Sequence, residues 1–264
     1  MPPIPARFVA RSTTLALACM LAGCGTPPET AAPAPLRVAA AADLQSSLPG
    51  IVAEFERAHS LKVDLVFGAS GQLAQQIEAG APFDLFLSAN RKFVDDLETS
   101  GLVRPKSSRP YAVGSLILVW GEHAGKPIAA LGDLARPEIK RVAIANHATA
   151  PYGAAAEQAL RKAGLLDSIG PKLVRATNVR QALQYVESGD AEAALVGKAL
   201  ARPPGLRVLE VDPELYDPIV QGLGVVAASR RVEDAEALAA YLLGPEGQAK
   251  FQAAGFRPAP PQSP

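Results

Sequence analysis

Leu36-Arg37-Val38-Ala39-Ala40-Ala41-Ala42-Asp43 and Val63-Asp64-Leu65-Val66-Phe67-Gly68-Ala69-Ser70-Gly71 share one pattern. Each is an apolar, strand-like run that stops at small or hydroxyl residues and feeds a helix-like stretch. After the first, Leu44, Leu48, Ile51, Val52 and Phe55 fall on one helical face. Pro49 lies inside that pattern and is expected to kink or delay the helix. After the second, Leu73 and Ile77 mark a short helix that Gly80 closes. A strand that runs into a helix leaves unpaired backbone N–H groups at the helix start. Together with the helix dipole, those groups can hold an anion without a basic side chain.

The pattern recurs along the chain. Phe83 to Leu87 reads as a third strand, with Phe93, Val94 and Leu97 facing inward from the next helix. Tyr111 to Trp120 reads as one longer apolar strand, and a first crossing between two lobes is placed there. Arg141 to Ala145 leads through Ala150-Pro151-Tyr152-Gly153 into a helix of Ala155 to Lys162, with Pro151 suited to a first helical position. Lys172 to Ala176 leads through Thr177-Asn178-Val179 into a helix bearing Ala182, Leu183 and Val186. Ala191 to Val196 and Val220 to Ala227 read as strands, the latter returning to the first lobe. Glu233 to Leu243 and Pro245 to Ala254 close the chain as helices. The alternation predicts an α/β fold of two lobes, mostly parallel sheets flanked by helices with a ligand cleft between them. Lobe 1 takes residues 36–115 and 220–264, and lobe 2 takes residues 116–219. Ligands of such sheets bind beyond the carboxyl ends of the strands, where the four polar turns lie.

Composition narrows the function. Lys plus Arg and Asp plus Glu number 26 each, without a block of like charge, so a nucleic-acid partner is not expected. Aromatic residues are only 5% of the chain, so the core must rest on Ala, Val and Leu. Arg7 and Arg11 precede a short apolar run from Thr13 to Leu21, too short to span a bilayer and read as a secretory segment. Leu21-Ala22-Gly23-Cys24 resembles the lipobox of bacterial lipoproteins. That resemblance implies a signal peptide of residues 1–23, lipid on Cys24, and a Pro- and Ala-rich linker over residues 24–35. An ordinary signal peptide cut nearby, with Cys24 a free thiol, is the plainer alternative. With Cys19 removed and Cys24 acylated, the folded part would hold no thiol, excluding disulfides, Cys-ligated metals and thiol nucleophiles. His59, His123 and His147 lack metal-ligand spacing. Gly68-Ala69-Ser70-Gly71-Gln72 is neither a nucleophile elbow nor a phosphate loop. No catalytic residues, resident metal or cofactor are expected, and the chain is not read as an enzyme.

The combination carries a family resemblance. Ala39 to Leu44, Phe67 to Gly71, Gly80 to Ala89, Ala143 to Asn146, Ala150 to Gly153, Asn178-Val179 and Leu243 to Phe256 resemble, in order, the periplasmic molybdate-binding proteins of ABC importers. The resemblance spans about Leu36 to Phe256. It implies a type II periplasmic binding fold that closes on a tetrahedral oxyanion, molybdate or tungstate, and delivers it to a membrane permease. It implies a monomer on the periplasmic or cell-surface side of the membrane, anchored by lipid. Carried over residue by residue, the ligand-binding positions are Ala42, Asp43, Ser70, Tyr152 and Val179. Ser70 would supply a hydroxyl and an amide, and Tyr152 and Val179 backbone amides. Two positions depart from the family. Asp43 stands where Ser, Thr or Asn is usual and is expected to cap the following helix with its side chain. Gly197 stands where some members have a tyrosine that closes over the ligand. Sulfate, phosphate or a small organic acid are the alternative ligands, and an enzyme on the same fold is the more distant one.

Overall fold

Alternating burial builds the first sheet. In a computed structural model, which describes residues 34–200 and 205–260, strand β1 (Leu36–Ala41) turns Leu36, Val38 and Ala40 to one side and Ala39 to the other. Residues 1–33, which carry the expected signal peptide, Cys24 and most of the expected linker, lie outside the described residues, as do residues 261–264. Helix α1 (Leu48–His59) buries Leu48, Ile51, Val52 and Phe55 on the first side of β1. Pro49 falls in the first turn of α1, where its missing N–H costs nothing, so it delays the helix rather than kinking it. Strand β2 (Val63–Gly68) pairs in parallel with β1, and helix α2 (Ser70–Glu78) places Leu73, Ala74 and Ile77 on the opposite side. Strand β3 (Leu85–Ser88) and helix α3 (Arg91–Thr99) complete this face.

The run Tyr111 to Trp120 is two strands rather than one. Strand β4 (Arg109–Gly114) belongs to the first sheet and β5 (Leu116–Trp120) to the second, so the chain crosses at Ser115. Both halves are buried in their own sheets, which gives one continuous apolar stretch in sequence. The second sheet continues with β6 (Val142–Ala145), helix α4 (Pro151–Lys162), the short helix α5 (Leu166–Ile169), β7 (Leu173–Ala176), helix α6 (Val179–Glu187), β8 (Ala193–Gly197) and β9 (Arg207–Glu210). Strand β10 (Ile219–Val225) then returns to the first sheet, followed by helices α7 (Val232–Leu243) and α8 (Pro245–Ala253). The strand orders are β2-β1-β3-β10-β4 and β7-β6-β8-β5-β9.

Each sheet is mixed. β1, β2 and β3 are parallel, as are β6, β7 and β8, while β10 pairs antiparallel with β3 and β5 antiparallel with β8. The antiparallel strands are those that enter a sheet from the other one. The carboxyl ends of β1, β2, β6 and β7 therefore all deliver their turns to the ground between the sheets.

Helix α4 approaches β6 closely, and Gly153 permits it. A Cβ at position 153 would lie 2.2 Å from the carbonyl oxygen of Ala145 and 2.7 Å from its carbon, which are backbone atoms that cannot rotate away. Gly153→Ala should therefore destabilise the protein by about 1–3 kcal/mol, the usual range for overpacking. Urea denaturation reads this directly, and unchanged stability would mean that α4 is not seated on β6 as described.

Candidate functional site

The four turns meet at one small cavity. Its wall is formed by Ala41, Ala42 and Asp43 after β1, Gly68, Ala69 and Ser70 after β2, Ala150, Pro151 and Tyr152 at α4, and Asn178 and Val179 at α6, with Ala89 after β3. The space is tight, with room for the centres of water-sized molecules over only about 10 Å³. All five positions named from the sequence, Ala42, Asp43, Ser70, Tyr152 and Val179, thus come together. Among the described residues, no Lys, Arg or His contributes to this wall. Arg180, which follows the last of these turns, instead pairs with Glu187 at 2.9 Å along α6.

The helix starts explain what the cavity offers. The capping positions ahead of the 3-10 turn Ala42–Leu44, of α2 and of α4 are Ala41, Ala69 and Ala150, and none makes a side-chain cap bond. Alanine is a poor cap because it has nothing to offer the first amides. Asn178 does cap α6, but its carbonyl oxygen takes Gln181 N–H at 3.0 Å and leaves Val179. The N–H groups of Ser70, Tyr152 and Val179 are first or second in their helices, so no carbonyl within the helix reaches them, and none is used by the turn contacts. The Ser70 hydroxyl accepts from Ala89 N–H at 2.9 Å, leaving its own hydrogen to donate. At the rim, Gly71 N–H donates to Thr149 carbonyl at 2.8 Å, joining the two sheets' turns directly.

Asp43 does not cap a helix. It lies inside the 3-10 turn, fully buried, and its carboxyl belongs to a polar cluster that reaches across the cleft. Gln221 of β10 donates from Nε2 to Asp43 Oδ2 at 2.5 Å and to the Tyr152 hydroxyl at 3.2 Å. The Tyr111 hydroxyl of β4 donates to Gln221 Oε1, and the Tyr152 hydroxyl hydrogen-bonds Asp43. Asp43 Oδ1 is buried without a partner. Burial pushes the Asp43 carboxyl up to about 6, against hydrogen bonds from Gln221 and Tyr152 and smaller ones from the amides of Asp43 and Leu44. Burial also raises the Tyr111 and Tyr152 hydroxyls well above their ordinary range, with the charge of Asp43 adding to the effect.

Sequence reasoning assigned Tyr152 an amide only, and missed Gln221 and Tyr111. The readable signal was Gln221 itself, a lone amide in the apolar run Ile219–Val225, since a buried polar side chain needs partners. The Tyr152 ring also accounts for Gly197. A Cβ on Gly197 would lie 2.9 Å from Tyr152 Cζ, and one on Gly114 would lie 2.1 Å from its hydroxyl oxygen. The phenol occupies the space that a larger side chain at 197 would need.

A cavity walled by helix starts, between two lobes joined by crossing strands, is the arrangement of a solute-binding protein. The chain belongs to the bacterial extracellular solute-binding proteins, matching that family over residues 36–257. It is 35% identical over 227 residues to the molybdate-binding protein ModA of Azotobacter vinelandii, covering 84% of this chain and 90% of that one. It is 32% identical over 248 residues to ModA of Rhodobacter capsulatus, covering 93% and 95%. The structure of the Azotobacter vinelandii periplasmic molybdate-binding protein superposes with a TM-score of 0.80 at 31% identity, covering 86% of this chain and all of that one. The fold is accordingly the two-lobed type II periplasmic binding fold.

The raised Asp43 carboxyl sets a pH dependence. Its proton is bound more tightly in the folded chain than in the unfolded one, so its stabilising contribution is present below about pH 4 and is lost as pH rises through about 6. At about 1.4 kcal/mol per unit, the loss at neutral pH is about 3 kcal/mol. Asp43→Asn should remove it, giving a protein more stable than the parent at pH 7.5 but not at pH 4. Denaturation of both proteins at the two pH values tests this, and equal differences at both would mean that Asp43 is not the buried acid described.

Proposed function

We propose that this protein is the lipid-anchored receptor of an ABC importer and captures one tetrahedral oxyanion, molybdate or tungstate, between its lobes. One observation carries the reading: helix starts from both lobes, three of the four turns lacking a side-chain cap, line a single cavity to which the described residues bring no cation. A dehydrated anion satisfies those donors, and the dipoles of the helices favour its charge. In this reading Ser70 gives its hydroxyl and amide, Tyr152 and Val179 give amides, and Ala42 and Asp43 complete the wall. Neutral, fixed donors discriminate by size and geometry better than a flexible cation, because a misfit leaves buried N–H groups unpaired. The names of the relatives, molybdate-binding proteins, support this choice of anion.

Contacts with both lobes stabilise the closed arrangement, which a membrane permease would recognise. The protein acts as a monomer, residues 36–115 with 220–264 forming one lobe and 116–219 the other. Lipid on Cys24 anchors it on the periplasmic or cell-surface side of the membrane, with residues 24–35 as tether. The buried carboxyl of Asp43 favours one second reading, an anion that brings its own proton, such as phosphate or an organic acid.

Thermal melting of the purified protein against molybdate, tungstate, sulfate, phosphate and dicarboxylates separates these. The true ligand at a hundredfold over Kd adds about 2.7 kcal/mol, a readily visible shift. A melting point unmoved by both molybdate and tungstate would overturn the assignment. Ser70→Ala should weaken binding by about 1–3 kcal/mol, as for a hydrogen bond to a charged acceptor, measured by calorimetry. Unchanged affinity would remove Ser70 from the site.

A further inference from the structure

Asp43 puts a carboxyl into the wall of a cavity otherwise built for an anion. Gln221 engages Oδ2 at 2.5 Å, and the Tyr152 hydroxyl and the amides of Asp43 and Leu44 also reach the carboxyl, yet Oδ1 is buried and makes no hydrogen bond of normal geometry among the described residues. An ionised carboxylate in that place leaves one charged oxygen unsatisfied and sets it beside the ligand's negative charge, and both are unfavourable. A proton on Oδ1 reverses both problems. The oxygen becomes a donor like its neighbours, and Oδ2 remains the acceptor that Gln221 requires.

Among the described residues, no neighbouring cation offers another remedy. The 3-10 turn bearing Asp43 packs against α6, β2 and the 3-10 turn Lys198–Leu200. Arg180 of α6 is paired with Glu187 at 2.9 Å, Lys198 with Glu210 at 2.6 Å, and Asp64 of β2 with Arg37 of β1 at 3.5 Å. From β4 and α4 the carboxyl meets the hydroxyls of Tyr111 and Tyr152, which burial keeps protonated, and from β10 the neutral amide of Gln221.

We infer that oxyanion capture is coupled to the uptake of one proton from solvent, held on Asp43, whose carboxyl then donates an O–H to the bound anion. The inference rests on the oxyanion reading of the cavity. No bond in the ligand breaks: the protein with ionised Asp43, the dianion and one proton combine, and the complex keeps only the charge of the anion at the site. Burial already draws the carboxyl up to about 6, and an anion in the cavity moves it further in the same direction.

Calorimetric titration of the purified protein with molybdate and with tungstate, from pH 5.5 to 8.5 in two buffers of different ionisation heat, tests the coupling. The expected result is uptake of close to one proton per anion at pH 8. Affinity should rise nearly tenfold per unit as pH falls from 8 to 6 and level off below, the slope of a single linked proton. Asp43→Asn keeps an oxygen for Gln221 and offers an N–H where the acid offers an O–H. It should show no uptake, a flat profile and tighter binding than the parent at pH 8. Zero uptake by the parent protein overturns the coupling whatever the variant does. The same uptake and slope in both proteins places the proton on the anion and overturns it equally. If neither protein binds either anion at any pH, the ligand reading itself falls, and the coupling with it.

Discussion

A buried amide without an acceptor is one of the costlier defects a fold can carry, and this protein directs several of them at one point. Ser70, Tyr152 and Val179 each lie in the first turn of a helix and in the wall of the same cavity, and each has an N–H that finds no acceptor among the described residues. The rest of the architecture follows from keeping them there. Parallel strands bring the turns to the same ends of the two sheets, and the antiparallel strands β5 and β10 join the sheets. The close seat of α4 on β6, made by Gly153, fixes the depth of the Tyr152 amide.

Most of this was legible because it is local. Apolar runs with period-two burial, small residues at their ends and helical faces after them identify strand, turn and helix within ten residues or so. The alanines at the capping positions were legible too, as residues that cannot do what a cap does. The break at Ser115 was not, because Tyr111 to Gly114 and Leu116 to Trp120 are both buried, and nothing in the run says that its halves lie in different sheets. Strand direction was hidden for a similar reason, since it depends on where the chain returns from.

Asp43 shows the limit most clearly. Its position at a helix start, judged locally, makes it a cap. Its actual partners, Gln221 and Tyr152, lie 178 and 109 residues away in sequence and on other elements. The tertiary cluster overrides the local preference because the side chain is wholly buried, where a hydrogen bond is worth more than at a solvent-facing helix end. Tyr111 and Gln221 were overlooked because a tyrosine and a glutamine in strands look like ordinary core and edge residues until their contacts are known.

The Tyr152 ring between Gly114 and Gly197 couples positions that are remote in the chain. A large side chain at 197 and a phenol at 152 are alternatives for one volume, since a single added carbon at 197 already comes within 2.9 Å of the ring. The same wall can thus be raised from strand β8 or from helix α4, but not from both. Divergence between the two designs must pass through an intermediate that is either overfilled or hollow beside the ligand. The glycine at 197 and the phenol at 152 are therefore one choice made twice: a side chain at 197 requires a second change that moves or shortens the ring.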